Sequence, residues 1–234
     1  MIAITFALPQ ESKDLCAELK NPSQESAGAL PIVTGSIGHR EITICHTGIG
    51  TESAGRQLRK LMKCQRPRGL ITAGFAGGLD PKLHTGDILV ATNFSDSALL
   101  SVTRHLCDDF RCCYFGTLTS QPDVAETCVE KSALAQRTRA SAVDMETTTI
   151  AAECKNFSVP MLSARAISDG ANTPLPVPFP VWFDMEKQVP RVGSLLAFLA
   201  THPARVAPFA RFVRDISHAR AQLTRYLMLL LEEL

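Results

Sequence analysis

The chain has 234 residues, 45% of them hydrophobic and 20% charged, so it is long enough for one large domain and too apolar to be disordered. Its 24 lysines and arginines nearly balance 23 acids, so no global basic field favours nucleic acid and a small-molecule partner is expected. No apolar run approaches the ~20 residues of a membrane span, and residues 2–8 lack the basic lead-in of a signal peptide. We therefore expect a cytoplasmic protein.

The first part of the chain alternates short apolar runs with helical patterns. Residues 2–8 form an apolar run of strand length, and residues 12–20 carry apolar side chains at helical spacing. Residues 41–46 alternate around two isoleucines, and a glycine turn then precedes a helical pattern that reaches Met62. The order predicted is strand, helix, strand, glycine turn and helix.

The next part repeats this rhythm. Residues 69–73, 87–92, 140–143 and 160–167 read as buried strands, and residues 147–155 read as a helix between the last two. Alternating strands and helices predict an α/β fold, a three-layer sandwich whose central twisted sheet is mostly parallel but mixed and is flanked by helices. Functional residues in such folds gather at the carboxyl ends of the strands.

The eight cysteines are expected to be free thiols. Without a signal peptide a disulfide framework is not favoured, and the cluster of Cys107, Cys112 and Cys113 lacks the spacing of a zinc site. We therefore expect no metal.

A glycine turn over residues 47–55 follows one predicted strand and opens a helix, as a dinucleotide-binding turn would. The third glycine comes five residues after the second instead of three, and no ribose-binding acid follows at the required distance. Backbone N–H groups freed by the turn could still hold an anion or hydroxyl, and a purely structural turn explains the glycines equally well.

A second glycine-rich segment, residues 74–78, ends an apolar strand. Its three glycines and one alanine leave the backbone without large side chains, so a ligand could approach it closely. This predicts that the segment forms the floor of a ligand-binding site. The alternative is a tight strand-to-loop turn.

Acidic residues follow several of the predicted strands. Asp144 and Glu146 come after one strand, Asp169 ends another, and Glu11 lies just beyond the first. Asp144 could instead cap a helix, and Asp169 could begin a turn with Gly170. Carboxyl groups at the ends of separate strands are the kind of set that hydrolysis of a glycosidic bond requires, since one protonates the leaving group and another positions water or sugar.

Four segments, in this order, resemble the nucleoside phosphorylase and nucleosidase superfamily over roughly residues 1–172. They are Gly74-Phe75-Ala76-Gly77-Gly78-Leu79, residues 82–90 with Thr85-Gly86-Asp87-Ile88, Val143-Asp144-Met145-Glu146, and Arg165-Ala166-Ile167-Ser168-Asp169. Within the superfamily the chain is similar to methylthioadenosine/S-adenosylhomocysteine nucleosidases and to the hopanoid-associated phosphorylase group. The resemblance implies a phosphorylase/hydrolase-like fold and an enzyme without metal or cofactor that hydrolyses a 5′-substituted adenosine to release adenine.

The resemblance also implies roles for individual residues. Glu11 would activate the attacking water, Glu146 would hydrogen-bond the ribose hydroxyls, and Asp169 would protonate or hydrogen-bond the departing purine. These charges suit a reaction in which the sugar becomes positive and the base negative. The further substrate-binding positions are Met145, which packs on the sugar, Ser168, which orients Asp169, and Ile49, Phe75, Ala76, Gly77, Asp144 and Arg165.

Some residues depart from the superfamily pattern. The first loop, residues 7–13, is acidic and lacks the arginine with which phosphorylases bind phosphate, so hydrolysis is favoured. Arg40 matches a hairpin arginine that phosphorylases donate to a neighbouring subunit, which keeps a phosphate-dependent phosphorylase as an alternative. A nucleosidase of the adenosylhopane type and a nucleoside-binding protein without catalysis are further alternatives. The aromatic side chain that stacks on the purine is not evident near Asp123.

The last part of the chain differs from the rest. We expect residues 1–185 to form the nucleoside-binding catalytic domain and residues 186–234 a C-terminal helical extension, preceded by a proline-rich loop that either roofs the site or leads the chain away. From Phe209 onward apolar positions recur at helical spacing. This helix packs on the domain or on a partner in a homodimer, or contacts a membrane surface as a basic amphipathic helix.

Overall fold

The structure, a computed structural model, describes residues 1–110 and 112–234. The strands are β1 Ile2–Phe6, β2 Lys20–Ala27, β3 Leu30–Ile37, β4 Arg40–His46, β5 Leu70–Gly78, β6 Ile88–Ala91, β7 Cys113–Gly116, β8 Leu118–Ser120, β9 Ala142–Asp144, β10 Met161–Asp169, β11 Phe183–Asp184 and β12 Val189–Pro190. The helices are α1 Pro9–Glu18, α2 Thr51–Gln65, α3 Ser97–Asp109, α4 Cys128–Thr138, α5 Thr147–Asn156, α6 Phe179–Trp182, α7 Val192–Thr201 and α8 Val206–Glu233.

Ten strands of the described chain join in one mixed sheet, in the order β2-β3-β4-β1-β5-β10-β6-β7, with β9 pairing the end of β5 and β8 pairing β9. The strands β4, β1, β5 and β10 are mutually parallel, so their carboxyl ends meet at one edge. This confirms the α/β class and the mixed sheet.

Helices cover both faces of the sheet. On one face α2 and α5 bury Leu58, Leu61 and Ile150, which lie on the sheet-facing sides of their helices. On the other face the second half of α8 buries an apolar stripe that packs with Ile4 and Phe6 of β1. The stripe consists of Ala219, Leu223, Tyr226, Leu227, Leu230 and Leu231. No helix in the described part of the chain is both long and apolar enough to cross a membrane.

Three features differ from the sequence-based expectations. The antiparallel hairpin β2–β3 was not predicted, because β2 is polar and almost entirely exposed. β9 runs antiparallel to β5, which it meets at Gly77. The expectation that every cysteine is a free thiol is wrong, since Cys107 and Cys113 form a disulfide. The end of α3 and the start of β7 bring their Cα atoms to 5.0 Å.

Candidate active site

A cavity of about 390 Å³ opens at the edge where the parallel strands end. Such a volume suits a small organic ligand such as a nucleoside. Every charged side chain among the described residues that line it is a carboxylate. They are Glu11, Asp123, Asp144, Glu146 and Asp169.

Glu11 is fixed by backbone N–H groups from two elements. The Leu8 N–H donates to its Oε2 (2.8 Å) at the start of α1, and the Phe75 N–H of β5 donates to its Oε1 (3.0 Å). Burial raises the pKa of the Glu11 carboxyl, although these hydrogen bonds and the charge of Arg165 act in the opposite direction. A carboxylate held in this way, with a raised pKa, is a stronger base than an exposed one.

Gly74 is required by the packing around Glu11. A Cβ on Gly74 would lie 2.8 Å from Glu11 Oε1 and 2.7 Å from Nη1 of Arg165, and the φ angle is +152°. Part of the glycine-rich segment therefore makes room for the side chains of Glu11 and Arg165 rather than for a ligand.

The side chain of Glu146 is hydrogen-bonded to the backbone of the first glycine turn. The Gly50 N–H donates to Glu146 Oε1 (2.7 Å), so the group held by this turn is a carboxyl side chain of the protein itself. Burial, followed by the nearby charge of Asp144, raises the pKa of Glu146 to about 8. The turn itself is fastened by Gln188, whose side-chain amide accepts from the Ile49 N–H (2.7 Å) and donates to the Ile49 carbonyl (3.0 Å).

Asp144 and Arg165 form a buried ion pair of 2.9 Å. Arg165 Nη2 also donates to Thr72 Oγ1 (3.0 Å) and Thr147 Oγ1 (2.7 Å), and the Ser120 hydroxyl donates to Asp144 Oδ1 (2.6 Å). Asp144 reaches the cavity wall, whereas Arg165 is absent from the lining and lies behind Glu11 and Asp144. Arg165 therefore supports the carboxylates and does not touch the cavity.

Asp169 lies at the end of β10, after an irregularity in its pairing with β5 between Ile167 and Asp169. Such an irregularity re-aims side chains near a site. The Ser168 hydroxyl donates to Asp169 Oδ1 (2.5 Å), and Lys131 of α4 donates to Asp169 Oδ2. Lys131 carries no local sequence signal that predicts this contact, since it is one lysine of a helix distant in sequence.

Aromatic side chains that the sequence analysis did not assign form the roof. Phe179, Trp182 and Phe183 line the cavity and contact one another, with ring centroids 4.8 to 6.1 Å apart. Leu175 from the proline-rich loop also lines it. Of the two alternatives for this loop, the roof is the one observed. Trp182 is the only tryptophan in the sequence, so its fluorescence can report on ligand binding.

The remaining site residues predicted from sequence come together around the cavity. Ile49 lines the cavity, and so does the segment of β5 after Gly74, which we call the cavity floor. A Cβ on Gly77 would meet Val143 at 3.4 Å and Asp169 at 3.5 Å, which is ordinary contact, so protein packing alone does not demand a glycine there. The predicted residues that line the cavity are Glu11, Ile49, Phe75, Ala76, Gly77, Asp144, Met145, Glu146, Ser168 and Asp169.

The chain is similar in sequence to known nucleosidases. A 5′-methylthioadenosine/S-adenosylhomocysteine nucleosidase of Staphylococcus epidermidis is 28% identical over 211 residues, covering 79% of this chain and 92% of that protein. A nucleosidase of the same name from Buchnera aphidicola is 27% identical over 198 residues, covering 73% of this chain and 79% of that protein.

Two solved structures share the fold. The nucleosidase of S. pneumoniae with a transition-state inhibitor superposes with a TM-score of 0.76 at 19% identity, covering 99% of this chain and 98% of that one. The futalosine hydrolase of Helicobacter pylori gives 0.74 at 18% identity, covering 100% and 97%. The family model described as the phosphorylase superfamily matches residues 1–127 and 108–200. The chain belongs to the phosphorylase superfamily.

Proposed function

We propose that the protein is a purine nucleosidase that hydrolyses the N-ribosyl bond of a 5′-substituted adenosine and releases adenine. The observation that carries the proposal is the meeting of Glu11, Glu146 and Asp169, from three separate elements, around one cavity of nucleoside size. The names of the nucleosidases to which the chain is similar support the same reaction.

In the proposed mechanism the bond between C1′ and N9 breaks with its electron pair moving to the purine, and the ribose becomes positively charged. Glu11 takes a proton from the water that attacks C1′, and Glu146 hydrogen-bonds the ribose hydroxyls. Asp169 protonates or hydrogen-bonds the purine imidazole nitrogen as the base departs. Carboxyl groups at both ends of the breaking bond match the charges that develop in the transition state.

Hydrolysis is favoured over phosphorolysis by the charge of the cavity. Among its described lining residues there is no lysine or arginine to hold a phosphate dianion, while Glu11 would repel one. Arg40 begins β4, at the opposite end of that strand from the cavity, so it offers the site of its own chain no positive charge.

The wall near the roof favours an apolar 5′ substituent. Trp182, Phe183 and Phe212 line it together with Ile216. An apolar wall stabilises a methylthio group or a hydrocarbon better than the charged amino acid of S-adenosylhomocysteine. An adenosine with a hydrocarbon 5′ substituent, as in the adenosylhopane-type alternative, therefore fits this wall as well as methylthioadenosine does.

The test is to incubate the protein with methylthioadenosine, S-adenosylhomocysteine or adenosine, with and without phosphate, and to measure free adenine. We expect release without phosphate, and its near loss in Asp169→Asn and Glu11→Gln. Strict dependence on phosphate would establish a phosphorylase instead. Quenching of Trp182 fluorescence by these nucleosides with no release would establish a binding protein.

Two further partners are proposed for the C-terminal segment, a second copy of the chain and a membrane surface. No residue of α7 is buried, Val192 and Leu196 are 60% and 62% exposed, and residues 189–214 contain four arginines and no acid. Light scattering should give a dimer mass. The protein should float together with anionic vesicles in a density gradient, and the Leu196→Glu substitution should abolish this flotation. A monomer or a lack of flotation would refute the respective proposal. The cytoplasmic location and the domain boundary at residue 185 stay predictions.

A further inference from the structure

Lys131 is a fully buried lysine whose whole hydrogen-bonding capacity is directed at the end of β10. Its ammonium donates to Asp169 Oδ2, to the Gly170 carbonyl (2.9 Å) and to the Thr173 carbonyl (2.8 Å). An ammonium has three N–H donors, and each of them has a partner here. The side chain is 0% exposed and passes behind Gly77 of the cavity floor.

Such a pair is costly as a purely structural device. Removing both an ammonium and a carboxylate from water carries a desolvation penalty that their attraction often fails to exceed, and apolar replacements of similar volume are frequently as stable. The partner here is the one carboxyl group that faces both Lys131 and the cavity.

The proposed reaction requires a proton that this carboxyl group does not carry while it is paired with an ammonium. The departing purine needs a proton on its imidazole nitrogen, but an Asp169 paired with an ammonium is a carboxylate and has none to give. The pair as a whole nevertheless holds one transferable proton. With the proton on Asp169 it consists of an amine and a carboxylic acid, which is a neutral pair suited to a buried site.

We propose that Lys131 is a positioning residue that supplies this proton through Asp169, an inference that rests on the proposed nucleosidase function. As the bond from C1′ to N9 breaks, its electron pair moves to the purine and N7 takes the proton of the Asp169 carboxyl group. Asp169 Oδ2 receives that proton from Lys131 Nζ, which becomes a neutral amine. The attacking water gives its proton to Glu11, and solvent restores both groups after the products leave.

The experiment compares two substrates that differ in their need for a proton. A purine nucleoside requires protonation of its leaving group, whereas 4-nitrophenyl β-ribofuranoside releases a stable phenolate without it. We expect Lys131→Met to lower kcat for methylthioadenosine by ~10²–10⁴ at neutral pH, the usual contribution of a general acid, and to leave cleavage of the nitrophenyl riboside near the wild-type rate. The residual purine activity should rise toward acidic pH, where solvent can supply the proton that the purine needs.

Lys131→Arg keeps the charge and the donors, but a guanidinium does not release its proton, so we expect the same selective loss. Lys155→Met, at an exposed position in the last turn of α5, is the control and should change neither rate. Thermal unfolding of every variant checks that it folds.

Equal losses on both substrates, or full purine activity in Lys131→Arg, would overturn the inference while leaving the nucleosidase function intact. A wild-type protein that cleaves no purine nucleoside would remove the proposed function, and this inference with it.

Discussion

Replacing Gly74 with alanine should slow the reaction while the chain still folds. The new Cβ would lie 2.7 Å from Arg165 Nη1 and 2.8 Å from Glu11 Oε1, whereas ordinary contacts begin at 3.4 Å, so these buried groups must retreat by about 0.6 to 0.7 Å. Glu11 then loses its alignment with the Phe75 N–H. Because a misplacement of about 1 Å can cost ~10²-fold in rate, we expect kcat to fall by roughly 10 to 100-fold.

The assay is adenine release from methylthioadenosine at saturating substrate, together with urea unfolding. Strain at the positive φ and the disturbed hydrogen bond should cost about 1–3 kcal/mol of unfolding free energy. Gly69→Ala is the matched control just before the same strand, because its Cβ would meet only the Pro160 carbonyl at 3.8 Å. A Gly74→Ala protein with the kcat of the Gly69→Ala protein would refute the reasoning about how Glu11 is held.

Three more predictions concern stability and binding. The Glu146 pKa of about 8 means that the folded chain keeps a proton that the unfolded chain releases near pH 4.5, so unfolding free energy falls as pH rises between these values. In the Glu146→Gln protein, the unfolding free energy measured with urea should not fall between pH 5 and pH 9. The same pH dependence in this variant as in the wild-type protein would contradict the raised pKa of Glu146. Leu230→Ala in the buried half of α8 should cost about 2–5 kcal/mol in the same assay, while Val129→Ala, 79% exposed, should change it by less than about 0.5 kcal/mol. Gln188→Ala should raise KM more than it lowers kcat, because the turn that places Ile49 in the cavity wall loses its two side-chain hydrogen bonds. An unchanged KM would show that the turn keeps its position without Gln188.

The central strands and their acids could be predicted because they carry local signals. β5 and β10 are buried over nearly their whole length, and their sequences consist mostly of apolar and small residues. A parallel sheet brings the residues at the carboxyl ends of such strands to one edge. The sequence therefore predicts that Asp169 at the end of β10 and Glu11 just after β1 lie at the same edge of the sheet.

The features that could not be predicted depend on contacts between distant segments. Lys131 looks like any helical lysine in sequence, and only the packing of α4 behind the cavity floor makes it fully buried. The aromatic roof follows a loop of prolines whose direction no local pattern decides. The disulfide between Cys107 and Cys113 depends on how closely the end of α3 approaches β7.

The position of α8 has a consequence for synthesis on the ribosome. The cavity takes Glu11 from the beginning of the chain and Ile216 from near its end, and Arg220 of α8 pairs with Asp14 of α1 at 2.8 Å. A nascent chain adds residues from the N-terminus onward, so β1 and Glu11 are synthesised long before α8. Until α8 has been made, the face of the sheet that carries Ile4 and Phe6 lacks its cover, and its exposed apolar side chains favour aggregation.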